Sequence, residues 1–196
     1  MPVINDQHYI NQIIEGNTNA FSVLVNQYKD LVFTLAYKML KNREDAEEVS
    51  QDVFIKIFKS LNKFKGDSKF STWIYKITYN TCLDYLKKSK KENSIEYIED
   101  FSEHQVKAIE TILENIDEKE RIQKIQDCLQ SLTSEEAFLL TLYYIDDHSV
   151  DEIAKIIECS ANNVKIKLFR TRKKMASILK RRLEPEILAY YESERR

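Results

Sequence analysis

Glycine and proline are scarce in this chain of 196 residues, which contains only two of each. Sheet proteins need a tight turn between most neighbouring strands, and these two residue types favour such turns. Hydrophobic residues make up 43% of the chain, enough to form real cores. The composition therefore predicts an all-α fold, and the length suits one large domain or two small ones.

Metal-binding and catalytic patterns are also missing. The three cysteines, Cys82, Cys128 and Cys159, form no CxxC pair, so neither a zinc site nor a disulfide framework is indicated, and we expect them to be buried. The three histidines show no spacing typical of metal ligands or of a nucleophile and its base. We therefore expect no cofactor, no metal and no enzymatic activity. The absence of a signal segment and of an apolar run of about 18 residues predicts a cytoplasmic protein without membrane insertion.

Charge divides the chain into a first basic part, an acidic connector and a second basic part. Residues 1–91 hold 14 Lys and Arg and 10 Asp and Glu, residues 92–120 hold 2 and 10, and residues 121–196 hold 14 and 12. An acidic connector thus lies between two mildly basic ends. Val106, Ile109, Leu113 and Ile116 keep a helical period within it, so we expect the linker to be partly helical.

Helical periodicity predicts three helices with a loop in the first part. The first follows Thr18 and carries Leu24, Leu35 and Met39; the second follows the N-cap Asn42 and buries Ala46, Val49, Val53 and Ile57. Residues 62–71 are typical of a loop because Gly66-Asp67-Ser68 favours a turn. A helix over about 72–88 follows, and we expect Trp73 and Ile77 on its buried side.

The second part has clearer helix starts. Thr133 and Ser149 are each followed three residues later by glutamate, the pattern of a capping box, and Ser160 is a third candidate cap. Helices are predicted near 134–145, 150–157 and 161–182. The last two, separated by a short break, form a helix-turn-helix, whose second helix enters the major groove of DNA.

Cations concentrate on that second helix. Residues 160–182 contain nine Lys and Arg and no acid, whereas residues 133–158 contain seven acids and one Lys. A basic run is often only a solvated helix face, but this change of sign coincides with the motif, and DNA binding requires cations at phosphates and polar side chains at base edges. The predicted DNA-binding residues are Ser160, Asn162, Asn163, Lys165, Lys167, Arg170, Arg172 and Lys173.

Two sets of motifs resemble conserved regions of sigma-70 factors. The segments 132–136 (LTSEE), 143–157 (YYIDDHSVDEIAKII) and 160–174 (SANNVKIKLFRTRKK) are similar to the fourth region, and 44–58 (EDAEEVSQDVFIKIF), 70–80 (FSTWIYKITYN) and 84–88 (DYLKK) to the second. Their order and the small size match the extracytoplasmic-function (ECF) group. One departure is Glu158, where the family usually has glycine; a left-handed backbone there costs on the order of 1 kcal/mol.

The resemblance implies a region 2-like domain over 1–91, an acidic linker over 92–120 and a region 4-like helix-turn-helix domain over 121–183. A C-terminal tail over 184–196 has no counterpart in these motifs. The resemblance implies binding to core RNA polymerase, recognition of the minus-10 and minus-35 promoter elements, initiation of transcription, and an anti-sigma factor as a further partner. The linker is either an RNA-like polyanion in the polymerase or a solvated tether.

The resemblance also implies roles for residues in the first part. Polymerase is expected to contact Asp45, Glu48, Gln51, Asp52, Phe54 and Ile55, although acids there also suit a solvated face. Phe64, Phe70, Trp73, Tyr75 and Tyr79 supply aromatic rings for unstacked bases. Residues for reading and melting the downstream element are Lys65, Asp67, Ser68, Lys69, Asn80, Asp84, Lys87 and Lys88.

Three other functions compete with this interpretation: a helix-turn-helix transcription regulator without sigma activity, a metal protein or enzyme using Asp45, Glu48 and Asp52, and a helical interaction module. The match to the second region disfavours the first alternative. The missing ligand spacing disfavours the second, and the acid-free basic helix disfavours the third.

Overall fold

A short helix that the sequence analysis did not predict begins the described part of the chain. The computed structural model describes residues 5–89, 123 and 127–182. Helix α1 spans Asp6–Ile14, is capped by the Asn5 side chain, and buries Ile10 and Ile13. The chain turns just after this helix at Gly16, where a φ of +104° suits a residue without a side chain. With only two buried apolar residues, its sequence signal is weak.

Three longer helices complete the first bundle. Helix α2 spans Phe21–Leu40 after a 3-10 turn at Thr18–Ala20, α3 spans Arg43–Ser60, and α4 spans Phe70–Ser89. These three pack against one another in pairs. The predicted N-cap Asn42 is confirmed, because its side chain accepts a hydrogen bond from the Asp45 N–H. The predicted inner face of α3 is also confirmed: Ala46, Val49, Val53 and Ile57 are all buried.

The buried face of α4 differs from the prediction. Trp73 and Ile77 are only partly buried, whereas the fully packed face consists of Ile74, Tyr75, Thr78 and Tyr79. Apolar residues occur almost all around this helix, so its own sequence does not determine which face turns inward. The packing of α2 and α3 determines it instead.

Two of the three capping predictions in the second part, those at Thr133 and Ser149, are confirmed, and the cap at Ser160 stays a prediction. Helix α5 spans Ser134–Leu140, α6 spans Val150–Ile156, and α7 spans Ala161–Arg182. Both capping boxes form, at Thr133 with Glu136 and at Ser149 with Glu152. Helix α5 continues into a π-helical turn at Thr141–Ile145, which the Asp146 N–H closes by donating to the Thr141 carbonyl over 3.0 Å.

Packing divides the chain into two compact units. The first contains residues up to 92 together with 148–161, because α6 packs against α4; the second contains 93–147 and 162–196. In the second unit, Cys128, Ala176 and Leu179 form a buried cluster with Met175 and Ile178 against it. The predicted linker helix, with Val106 to Ile116, and the tail 184–196 lie outside the described residues.

Among the residues that the structure describes, three turns use a left-handed backbone without glycine. Lys41 at the end of α2, Asp147 before α6 and Glu158 after α6 have φ values of 56°, 53° and 54°. The left-handed conformation anticipated for Glu158 is therefore confirmed. Such φ values are sterically unfavourable for residues with a Cβ atom.

Candidate nucleic-acid and polymerase interfaces

Helix α7 has a buried set of side chains and an exposed set that is mostly polar but also includes Ile166 and Phe169. Val164, Leu168 and Thr171 are buried. The predicted DNA-binding residues before and between them are exposed: Ser160, Asn162, Asn163, Lys165, Lys167 and Arg170. Polar and cationic groups are thus exposed along residues 160–170, and they are of the types that contact phosphates and base edges in protein–DNA complexes.

The cations farther along α7 are less exposed. Arg172 and Lys173 are partly buried, and the Lys173 ammonium lies 4.9 Å from the centre of the Phe169 ring, a cation–π distance. Their place at a DNA surface therefore stays a prediction. Lys167 also lies 3.9 Å from the Glu135 carboxylate, a weak exposed contact that a phosphate can replace.

Lys174 is a structural residue, although the sequence analysis counted it with the basic run. Its side chain is 8% exposed, and its ammonium donates to Glu136 Oε2 over 2.9 Å. The same Glu136 oxygen accepts from the Thr133 N–H over 2.9 Å in the capping box. Lys174 thus connects α7 to the start of α5, and its ammonium is buried against Glu136.

The loop before α4 surrounds a cluster of aromatic rings. Phe64, Phe70 and Trp73 lie with their ring centres 5.2 to 5.6 Å apart, and Tyr28 contacts Phe70 at 5.6 Å. Phe70 is buried, whereas Phe64 and Trp73 remain partly accessible. Tyr75 and Tyr79 are buried in the core, so the expectation that they present rings to unstacked bases is wrong.

A cleft of about 510 Å³ opens beside this cluster. Its walls are Phe64, Gly66, Ser68 and Phe70 from the loop side and Asn5, Asp6 and Gln7 from the start of α1. Asp6 Oδ2 accepts from the Tyr28 hydroxyl over 2.7 Å, while Asp6 Oδ1 is buried without a hydrogen-bond partner. Burial, together with that bond, raises the pKa of Tyr28. The sequence analysis missed this cleft because it did not predict α1.

The predicted downstream residues do not all have the same surroundings. Lys65, Asp67 and Lys69 are exposed in the loop, Ser68 is partly buried, and Lys87 and Lys88 are exposed at the end of α4. Asp84 lies 3.8 Å from the Lys56 ammonium. Asn80 donates from Nδ2 to Glu158 Oε2 over 3.1 Å, and Lys69 lies 3.7 Å from Glu152. Part of this set therefore contacts residues 148–161 within the same unit.

The predicted polymerase surface on α3 is mostly exposed. Glu48, Gln51, Asp52 and Ile55 face solvent. Asp45 has a structural contact, because the Tyr85 hydroxyl donates to Asp45 Oδ1 over 2.7 Å and this bond raises the pKa of Tyr85 to about 12. Phe54 is partly buried and packs edge-on against Phe21 at 6.4 Å.

Neither metal chemistry nor a membrane span has a site in the described ranges. No group of three or more His, Cys, Asp and Glu residues close enough to hold a metal ion occurs there. None of the helices described is long and apolar enough to cross a membrane. Cys82 and Cys128 are buried as expected, whereas Cys159 is partly exposed, which corrects that expectation.

Comparison with known proteins matches both parts of the chain. The family model of sigma-70 region 2 covers residues 24–92, and that of sigma-70 region 4 covers residues 122–175. The ECF RNA polymerase sigma-E factor of Haemophilus influenzae is 31% identical over 180 residues, which are 86% of this chain and 92% of that protein. The ECF RNA polymerase sigma factor SigW of Bacillus subtilis is 27% identical over 177 residues, 87% and 95% of the two chains.

A solved structure has the same fold. The sigma factor RpoE of Bartonella quintana, in complex with the anti-sigma factor NepR, matches with a TM-score of 0.58 at 18% identity, covering 82% of this chain and 96% of that one. The helical units and the basic face of α7 thus define a DNA-binding transcription initiation factor. This chain belongs to the ECF group of sigma-70 factors, which recognise promoters on behalf of RNA polymerase.

Proposed function

We propose that the exposed face of α7 reads the minus-35 element. The observation that carries this proposal is the separation on α7 between buried Val164, Leu168 and Lys174 and an exposed row of amides and cations. Asn162 and Asn163 lie in the first turn, where side chains of a recognition helix contact base edges. Lys165, Lys167 and Arg170 follow at spacings that suit phosphates on either side of the groove.

The loop at Gly66 and the exposed side of α4 form the second DNA contact in this proposal. Lys65 and Lys69 supply cations, and Phe64 and Trp73 supply accessible ring edges beside the cleft. Asn80, Asp84, Lys87 and Lys88 continue the surface along α4. Stacking of a base on an aromatic ring contributes roughly 1 to 3 kcal/mol, which helps to offset the cost of unpairing it.

Core polymerase is assigned to α3. Gln51, Asp52 and Ile55 combine polar groups with one exposed apolar side chain, a composition that suits a protein interface. Glu48 and Phe54 extend this surface. Asp45, which accepts a hydrogen bond from the Tyr85 hydroxyl, also belongs to it. Functionally, residues 1–91 then form a domain that binds polymerase and the downstream element, residues 121–183 form a helix-turn-helix domain that binds the upstream element, and residues 92–120 connect them.

The partners follow from this arrangement. Because a sigma factor acts with polymerase at the bacterial chromosome, the location proposed for the chain is the cytoplasm. No catalytic activity is proposed for it. An anti-sigma factor is proposed as a regulator, because the similar RpoE structure contains one. The residues that would contact it are not assigned.

Transcription of genomic DNA with purified components tests the proposal. Bacterial core polymerase, with and without the chain, is incubated with fragmented DNA of the source bacterium, and the 5′ ends of the transcripts are sequenced. We expect a set of start sites that depends on the chain. Asn162→Ala should lower initiation at these sites roughly fivefold or more, because a lost base contact costs about 1 to 3 kcal/mol.

The matched control is Asn11→Ala, which removes an exposed asparagine from α1. It should leave the start sites unchanged. If no start site depended on the chain, the sigma function itself would be refuted, and a regulator acting without sigma activity would replace it. If Asn162→Ala and Asn11→Ala behaved alike, the assignment of α7 to the upstream element would be wrong.

A further inference from the structure

The carboxylate of Glu158 has both of its oxygens engaged by α4. Oε1 lies 2.8 Å from the Lys76 ammonium, and Oε2 accepts from Asn80 Nδ2 over 3.1 Å. Lys76 and Asn80 are four residues apart on one helix, so their side chains point in the same direction. The hydrogen bonds from Lys76 and Asn80 lower the pKa of Glu158, so it is ionised at neutral pH.

The backbone at Glu158 is strained, and glycine would remove the strain. Its φ of 54° lies in the left-handed region, where a Cβ atom is unfavourable. The contacts with Lys76 and Asn80 explain why an acidic side chain occupies this position. The strained turn therefore holds an anion against α4.

Lys76 and Asn80 together form a site for an oxyanion. An ammonium and an amide N–H are both donors, and each bonds a DNA phosphate as well as a carboxylate. The neighbouring contact has the same sense, because Lys69 faces Glu152 at 3.7 Å. Both acids belong to residues 148–161, and both cations belong to the loop and helix assigned to the downstream element.

A cleft of about 630 Å³ lies between the two sides of this contact. Asp67, Ser68, Thr72, Trp73 and Lys76 form one wall, and Lys155, Glu158, Cys159 and Ser160 belong to the other. The contact is therefore incompletely packed: it consists of these exposed ion pairs together with an edge-on contact between the rings of Tyr75 and His148 at 4.7 Å. Exposed ion pairs are weak and are screened by salt, so a polyanion can displace them.

We propose that Glu158 is an internal competitor of DNA, which occupies a phosphate site formed by Lys76 and Asn80 until DNA displaces residues 148–161 from α4. This inference rests on the proposed role of α4 at the downstream element. It adds Lys76 to the residues that contact DNA. It also gives the glutamate in the turn a function, namely to weaken DNA binding by the sigma factor in the absence of polymerase.

Fluorescence anisotropy of the full chain tests this competition. The probe is a fluorescein-labelled single-stranded DNA of 20 nucleotides with randomised sequence, at 50 mM and 200 mM NaCl. Glu158→Gln should bind the probe at least threefold more tightly than the wild type at 50 mM. Glu47→Gln is the matched control, because Glu47 also pairs with a cation four residues away and is similarly exposed. It makes the same change in net charge and should alter the affinity less than twofold.

A double mutant separates the competition from a general effect of charge. In a Lys76→Ala background, Glu158→Gln should no longer increase the affinity. Glu158→Gly, which also relieves the backbone, should reproduce the gain of Glu158→Gln even if glutamine perturbs the turn. An effect of Glu158→Gln no larger than that of Glu47→Gln, or one that persists without Lys76, would overturn the competition. If adding Lys76→Ala to the Glu158→Gln chain left its affinity for the probe unchanged, the assignment of a DNA surface to α4 would be wrong instead.

Discussion

Replacing Lys174 by methionine should destabilise the second unit and leave DNA binding intact. Methionine keeps the length and apolar stem of the side chain but removes the ammonium that lies 2.9 Å from Glu136. Removing one partner of a fully buried ion pair costs about 3 to 5 kcal/mol, because the other charge stays buried. Glu136 is 25% exposed and keeps its bond from the Thr133 N–H, so part of this cost is recovered by hydration. We therefore expect a loss of about 2 kcal/mol.

The measurements are urea unfolding, which gives the free energy of unfolding, and thermal unfolding, which gives Tm, both followed by far-UV circular dichroism. A loss of that size corresponds to a decrease in Tm of about 4 to 8 °C for a chain of this length. Lys165→Met is the matched control: it removes an exposed cation from the same helix, and its stability should change by less than about 0.5 kcal/mol. Equal stabilities of Lys174→Met and Lys165→Met would refute the structural role of Lys174.

For binding to duplex DNA the order of the two effects should be reversed: Lys165→Met should change binding, and Lys174→Met should not. Affinity for a labelled duplex is measured between 50 and 300 mM NaCl, and the slope of log K against log salt reports the number of phosphates neutralised. Lys165→Met should reduce the magnitude of this slope by about 0.9, and Lys174→Met should leave it unchanged. A smaller slope for Lys174→Met would mean that its ammonium contacts DNA and does not stay with Glu136.

Two other expectations concern cysteine accessibility and the cap of α6. In the native protein, one thiol of three should react quickly with a colorimetric disulfide reagent, because Cys159 is partly exposed while Cys82 and Cys128 are buried and burial raises the pKa of Cys82 to about 12; rapid reaction persisting in Cys159→Ser would contradict this. Ser149→Ala should lower the free energy of unfolding by about 1 kcal/mol at pH 7. Hydrogen bonds from the backbone N–H and from the hydroxyl of Ser149 lower the pKa of Glu152. Alanine keeps the N–H and removes the hydroxyl, so the hydroxyl's share of that difference should be present above pH 4.5 and be lost as the pH falls through the lower folded pKa, as urea titrations at pH 7 and pH 3.5 would show; an equal difference at both pH values would exclude a role for the bond from the hydroxyl to the ionised carboxylate.

Local signals made the second part of the chain the easier one to predict. A capping box involves residues three apart, so Thr133 with Glu136 and Ser149 with Glu152 could be recognised directly, and the helix bounds that followed agree with the structure. The family motifs similarly identified the two regions. Asn42 and the inner face of α3 were found for the same reason, since cap and period lie within one helix.

Contacts between segments that are far apart in the sequence could not be predicted from such local signals. Lys174 and Glu136 are 38 residues apart, and nothing in the basic run distinguishes Lys174 from its exposed neighbours. The same limit applies to Asn80, whose partner Glu158 lies 78 residues away. Around α4, where apolar residues lie on nearly every side, tertiary packing determined that Tyr75 and Tyr79 turn inward and that Trp73 does not.

The left-handed turns at Lys41, Asp147 and Glu158 bear on how this protein could be improved in the laboratory. Evolution usually assigns such positions to glycine, and here three of them carry larger residues in a chain that has only two glycines. Each holds strain on the order of 1 kcal/mol. Lys41, a helix end outside every surface assigned above, is therefore a natural first position for a thermostabilising library: glycine fits its backbone, while the greater freedom of the unfolded chain and the loss of the lysine side chain's own contacts oppose the gain.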